Sequence, residues 1–222
     1  HAETRLTRLF VEPTILCNLS CLDNVCASKA ALVKYRNRPY LPLAEFKAIL
    51  DDVGPQLNRI DLFNFGESFL NKDAAAMIEY VKERYPNIYL FASTNGNVLT
   101  KDVMRRLISA GMDALLFSVD GADQESYSRY RCKGDFDKVY RNMAFICEEK
   151  EKTHRQLPYV IWRYILFAWN DSEEQMATAL KLARKCNVDQ FLWTLTDFPA
   201  PSTKFTVGSD PWKSIYSELW ET

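Results

Sequence analysis

Short apolar runs alternate with longer amphipathic stretches along the chain. The runs at 9–16 (LFVEPTIL), 59–65 (RIDLFNF), 88–92 (IYLFA), 114–119 (ALLFSV), 159–167 (YVIWRYILF) and 190–195 (QFLWTL) are rich in branched and aromatic residues. Such runs read as parallel strands covered on both faces. Pro13 in the first run cannot donate to a ladder and belongs at a bulge or an edge. Helical patterns fill the intervals. One at 43–53 follows Pro42, and one at 73–84 follows Asn71 as its N-cap. A third at 101–110 lies between Thr100 as N-cap and Gly111 as the residue that ends it. The stretch 135–152 places Phe136, Val139, Tyr140, Met143 and Ile146 on one face. The last, at 172–186, opens with Ser172-Glu173-Glu174-Gln175, a capping-box pattern.

Six strand–helix units of roughly 30 residues each have the density of an eight-unit barrel of about 250 residues. With 222 residues the chain is too short for eight units. No glycine-rich dinucleotide fingerprint follows the first strand, which weighs against a doubly wound sheet. The expected fold is therefore α/β: a partial (β/α)6 TIM-like barrel of parallel strands over residues 1–198. A C-terminal tail at 199–222 carries Pro199, Pro201 and Pro211 and a short aromatic helix (WKSIYSELW).

Charge narrows the function. Twenty-eight Lys and Arg against 29 Asp and Glu leave a formal charge of −1, unlike a general nucleic-acid binder. No apolar run approaches the roughly 20 residues of a membrane span, and the first residues lack the apolar centre of a signal peptide. Together with six sparse cysteines, these features lead us to expect a reduced, cytoplasmic protein.

In parallel α/β folds the chemistry gathers at the C-terminal ends of the strands. Every strand exit here is polar: Asn64, Gly66, Glu67 and Ser68; Ser93, Thr94 and Asn95; Ser118 and Asp120; Asn170 and Asp171; Thr196 and Asp197. Turn chemistry favours such residues at any exit. It does not account for Cys17, Cys21 and Cys26 on the first one. The loop CNLSCLDNVC spaces its thiols C-x3-C-x4-C. A structural zinc site wants four ligands, usually with C-x2-C pairs, and no second pair is present. Three cysteines suit an iron–sulfur cluster that keeps one iron open to a ligand. Cys132 reads as a half-buried thiol, and Cys147 and Cys186 as helix packing. Lys29, Lys34, Arg36 and Arg38 read as a solvated face. Trp162 and Tyr164 belong to the core, whereas Arg163 is open to a cofactor or substrate role.

Taken together, CNLSC at Cys17, LFNFGESFLNKD at Leu62, STNG at Ser93, FSVDGADQESYSRYR at Phe117 and GDFDKV at Gly134 resemble the radical S-adenosylmethionine (SAM) enzymes. The likeness is to the subgroup related to SPASM-type proteins, without their C-terminal auxiliary-cluster cysteines, and runs from about Phe10 to Phe198. It implies a [4Fe-4S] cluster on Cys17, Cys21 and Cys26 whose free iron chelates SAM. It further implies reductive cleavage of SAM to a 5′-deoxyadenosyl radical that abstracts hydrogen from a substrate. Asn64, Phe65, Gly66 and Glu67 match the motif that receives the SAM amino group. Thr94, Asn95, Ser118 and Asp120 match positions near the ribose and methionine, and Arg131 matches a partner of the SAM carboxylate.

Two departures stand out. The usual C-x3-C-x2-C spacing would place a cysteine where Asn24 stands, and Ser68 replaces a common proline. By the same resemblance the substrate is a small polar molecule, a sugar or glycoside intermediate that is oxidised, epimerised or eliminated. A flavodoxin- or ferredoxin-type donor supplies the electron. Three other readings stay open: a peptide-modifying enzyme, a degenerate scaffold serving as a binding or regulatory module, and an unrelated barrel with redox-sensing thiols.

Overall fold

The computed structural model describes residues 6–22 and 38–218, with backbone only for 216–218. Among them the first half of the chain runs β1 (Arg8–Val11), β2 (Ser20–Cys21), α1 (Leu43–Val53), β3 (Arg59–Leu62), α2 (Ala74–Arg84), β4 (Tyr89–Thr94), α3 (Lys101–Ala110) and β5 (Ala114–Ser118). The second half runs α4 (Gln124–Tyr130), β6 (Arg131–Cys132), α5 (Phe136–Lys152), β7 (Tyr159–Ile165), α6 (Glu173–Cys186), β8 (Gln190–Thr194) and α7 (Asp210–Glu218). The main sheet has six parallel strands in the order β1-β3-β4-β5-β7-β8. Each crossover therefore steps the same way, and the sheet curls toward a barrel that stays open between β1 and β8. A doubly wound sheet would reverse direction at a switch point.

Register decides which side chains meet. One row runs Val11, Leu62, Ala92, Leu115 and Val160, and a later row Thr94, Phe117, Trp162 and Phe191. Apart from Thr94, these residues belong to the core with Phe46, Leu50, Met77, Ile78 and Met143 of the helices. Burying each such side chain contributes roughly 1.5–3 kcal/mol. The alternate row, Phe10, Asp61, Phe91, Ala114 and Tyr159, lies on the concave face, outside that core. Continuous burial on both faces, expected for every strand, holds for β5, whose five residues are all buried. In β4, β7 and β8 buried residues alternate with less buried ones, because helices cover only the convex side.

Thr100, Asp135 and Ser172 cap α3, α5 and α6 through their side chains, and Gly111 adopts the left-handed conformation after α3. Three expectations are corrected. The first strand ends at Val11, so Pro13 lies outside it. Asn71 does not cap α2: its amide donates to the carbonyls of Pro13 (2.9 Å) and Leu41 (2.8 Å) and ties two distant segments together. Gln175 does not close a capping box, since its amide reaches Asp123 at 2.7 Å. The tail returns to the barrel. Phe205 is buried, Trp212 and Ile215 pack on the core, and Ser202 Oγ donates to Asp171 at 2.6 Å. Among the described residues no helix is long and apolar enough to cross a membrane.

Two strand beginnings share one device. Asp113 accepts Leu90 N–H (2.7 Å) and Lys82 Nζ (2.8 Å), while Asp189 accepts Val160 N–H (2.6 Å) and Lys150 Nζ (2.5 Å). Removing the acid strands a largely buried lysine and an N–H at the start of an interior strand. Asp189→Ala should cost about 2–3 kcal/mol in chemical denaturation, less than a wholly buried pair because Asp189 is partly exposed. Lys150→Met in that background should restore part of the loss.

Candidate cofactor site at the strand exits

The exits of β1 and β3 are pressed together by backbone. Glu67 N–H donates to Leu16 C=O at 2.8 Å, and a Cβ added to Gly66 would stand 1.8 Å from Thr14 C=O. Only glycine lets the two segments approach so closely. Glu12 Oε1 accepts the N–H groups of Phe65 (2.8 Å) and Gly66 (3.2 Å). Ser68 Oγ donates to Leu62 C=O at 2.8 Å, so the serine in the usual proline position ties its loop to the end of β3. Asn64 and Phe65 are exposed at the crest of this loop. Among the described residues no donor takes the carbonyls of residues 64–66.

Glu67 is buried. Its Oε1 accepts Thr94 Oγ1–H (2.7 Å) and Phe69 N–H (3.4 Å), and its Oε2 accepts Asn95 N–H (2.7 Å). The carboxylate thus joins the exits of β3 and β4. Burial pushes its pKa above the ordinary value, against the pull of these donors. Gly96, at φ +72°, turns the chain next, and its N–H closes on Thr94 Oγ1 at 2.9 Å.

Two cysteines of the loop meet this frame. Asn95 Nδ2 lies 3.7 Å from Cys17 Sγ and donates to Asn18 Oδ1 at 2.9 Å. Cys21 pairs with Arg131 in the antiparallel β2–β6 ribbon, with Arg131 Nη1 at 3.7 Å from its Sγ. Arg131 is itself buried and fixed, its Nε donating to Asp120 Oδ2 at 2.6 Å. Asp120 Oδ1 accepts Ile165 N–H at 2.8 Å, which anchors the ion pair to β7. Burial opposes the Arg131 charge, but Asp120 and Cys21 outweigh it and raise its pKa. On the concave face Arg163 Nη2 donates to Ser118 Oγ at 2.8 Å, and Ser93 Oγ lies 3.3 Å from Ser118 Oγ.

Cys17, Cys21, Thr94, Asn95, Ser118, Asp120, Arg131 and Glu67 therefore gather at one end of the sheet, with Arg163 just inside it. Cys26, like Lys29, Lys34, Arg36 and Trp220, lies outside the described residues. Among the described residues no three metal-binding side chains converge. Arg38 pairs with Glu45 at 2.7 Å. Cys132 takes the other face of the ribbon, and Cys147 and Cys186 are buried together. Sequence reasoning passed over Glu12 and Asn18. An acid inside an apolar run was the one available signal for Glu12. The donor set suits a thiolate-bound cluster: an amide and a guanidinium aimed at sulfur stabilise thiolate charge and steady the ligands.

The family model described as the Radical SAM superfamily matches residues 11–161. A curated Fe-coproporphyrin III synthase from Methanosarcina barkeri is 29% identical over 134 residues, covering 60% of this chain and 32% of that protein. A mycofactocin maturase from Mycolicibacterium smegmatis is 28% identical over 134 residues, covering 59% of this chain and 31% of that protein. The chain thus spans about a third of the length of these two relatives. In fold it resembles SuiB of Streptococcus suis bound to S-adenosylmethionine, with TM-score 0.71 at 14% identity over 96% of this chain and 47% of that one.

Glu67→Gln should lower stability by about 1–3 kcal/mol, because in either orientation its NH2 faces a backbone N–H that Glu67 now accepts, Asn95 on one side or Phe69 on the other. The pH dependence has a definite sign. With the folded pKa raised, the Glu67 contribution is present below the ordinary 4.5 and is lost as pH rises through the folded value. Denaturation curves of wild type and E67Q should converge as pH rises through that interval.

Proposed function

The chain belongs to the radical SAM superfamily, and we propose that it is an enzyme of that superfamily acting on a bulky, largely apolar substrate held on the concave face of the sheet. Its cofactors are a [4Fe-4S] cluster and SAM, as throughout the superfamily. When bound, they supply one electron and a 5′-deoxyadenosyl radical able to abstract hydrogen.

The chain's own residues divide the work. Cys17, Cys21 and Cys26 hold the cluster. The carbonyls of Asn64, Phe65 and Gly66 accept the SAM ammonium. Ser118 and Arg163 face the carboxylate and ribose. Glu67 positions Thr94 and Asn95, while Asp120 and Arg131 hold the cysteine loop through the ribbon. A flavodoxin- or ferredoxin-type donor delivers the electron.

The substrate reading rests on the concave face. Phe10, Phe63 and Phe91 pack edge to face there, with ring centroids 6.3 Å and 5.5 Å apart. Leu116, Ile161 and Leu192 continue that face across β5, β7 and β8. The curated relatives are named for coproporphyrin and heme synthesis and for cofactor maturation, none for a sugar, so the sugar expectation yields to a bulkier substrate. The first two names make tetrapyrroles the class to test first.

Anaerobic reconstitution should load about four irons per chain, and dithionite with SAM should then yield 5′-deoxyadenosine. Cys26→Ala should lose most of the iron, whereas Cys132→Ala should keep it. A colourless chain that leaves SAM intact would establish the degenerate-scaffold reading instead. Coproporphyrin III should raise the 5′-deoxyadenosine yield, and a glycoside or short peptide should not.

A further inference from the structure

The concave face is charged as well as aromatic. Among its strand positions stand three arginines, Arg8, Arg59 and Arg163, against one acid, Asp61. Asp61 is fully buried. Its Oδ2 accepts Arg8 Nε at 2.6 Å, and its Oδ1 accepts Arg59 Nη2 at 2.7 Å. The two guanidiniums hold its carboxyl below the usual range, although burial alone would raise it.

One carboxylate needs one arginine. A second leaves a net positive charge, and both side chains remain open, at 48% and 37% exposure. Arg8 spends only Nε on Asp61, and Arg59 spends Nε and Nη2. Among the described residues no other acceptor takes their remaining N–H groups. Both guanidiniums are steadied by aromatic faces: Arg8 lies 4.4 Å from the Phe10 ring centroid, and Arg59 lies 5.1 Å from Tyr89 and 5.3 Å from Phe91. Phe10 is itself 58% exposed. Fixed guanidinium edges beside open aromatic surface match a flat apolar body that carries a carboxylate.

We propose that Arg8 and Arg59, oriented by Asp61 and flanked by Phe10, Tyr89 and Phe91, form a carboxylate-binding floor for the substrate. This rests on the reading that the concave face receives the substrate. The floor lies at the strand beginnings and the cofactor residues at the exits. Phe63 lies four positions beyond Arg59, just past the end of β3, about 13 Å away at about 3.3 Å per residue. A ligand reaching both ends is longer than a monosaccharide.

Calorimetry on the reconstituted full chain decides the matter with two probes, 1-pyrenebutyrate and 1-pyrenebutanol, which share the flat body and differ in the carboxylate. Wild type should bind the acid about tenfold more tightly. Arg8→Gln, which leaves Asp61 paired with Arg59, should cut that preference to about threefold or less. The double variant Arg59→Gln with Asp61→Asn, which strands no buried charge, should do the same. Equal binding of both probes by wild type, or a preference that survives both variants, overturns the floor. The wild-type comparison stands even if a variant fails to fold. Because binding is read apart from SAM cleavage, a chain that makes 5′-deoxyadenosine without the preference loses only this site. One that shows the preference without cleaving SAM loses only the catalytic reading.

Discussion

The buried carboxylate of Glu67 is the constraint on which the strand-exit site depends. A charge removed from water needs donors at every open position, and here they come from neighbouring segments: Thr94 and Asn95 from the exit of β4, Phe69 from its own loop. The same loop is pressed against residues 14–16 at Gly66. Three exits are thereby locked into one frame before any ligand arrives, and the cysteine loop leaves from that frame. Without it, Asn95 would have no fixed direction in which to offer its amide to Cys17.

A second buried charge pair extends the frame to the far strands. Asp120 ties Arg131 to β7 through Ile165, and Arg131 reaches Cys21 across the short ribbon. Of the cysteine loop's thiols, Cys17 thus meets a neutral amide and Cys21 a cation. This bears on how the motif residues work. The sequence resemblance leads one to expect Asn95 and Arg131 beside SAM; in the structure Asn95 Nδ2 meets Cys17 and Asn18, and Arg131 divides itself between Asp120 and Cys21. Preorganising ligands costs little when the organising charges are already paired. The concave face repeats the principle at the other end of the strands, where Asp61 orients two guanidiniums and leaves part of each free.

Much of the fold was legible because its signals are local. The periodicity of α1, α3, α5 and α6, their caps, and the branched strands all follow from residues within a few positions of one another. What escaped was short or distant. Helix α4 (QESYSRY) is only seven residues long, with too little apolar period to read as a helix. The ribbon β2–β6 has two residues per strand. Asn71 looked like a cap because its role as a strap depends on Pro13 and Leu41, 58 and 30 residues away.

By itself the sequence determined the alternation of strands and helices, the polar exits and the thiols on the first of them, since hydrophobic period and spacing are properties of neighbouring residues. Tertiary structure alone decided that Asn95 meets Cys17 across 78 residues and Arg131 meets Cys21 across 110. It also decided which face of each strand is convex, and so that Arg8, Arg59 and Phe10 share a surface. The reason is register. A parallel strand can slide or exchange neighbours without altering its own pattern, so the partners across a sheet are chosen only when every exit loop and buried charge must be satisfied at once.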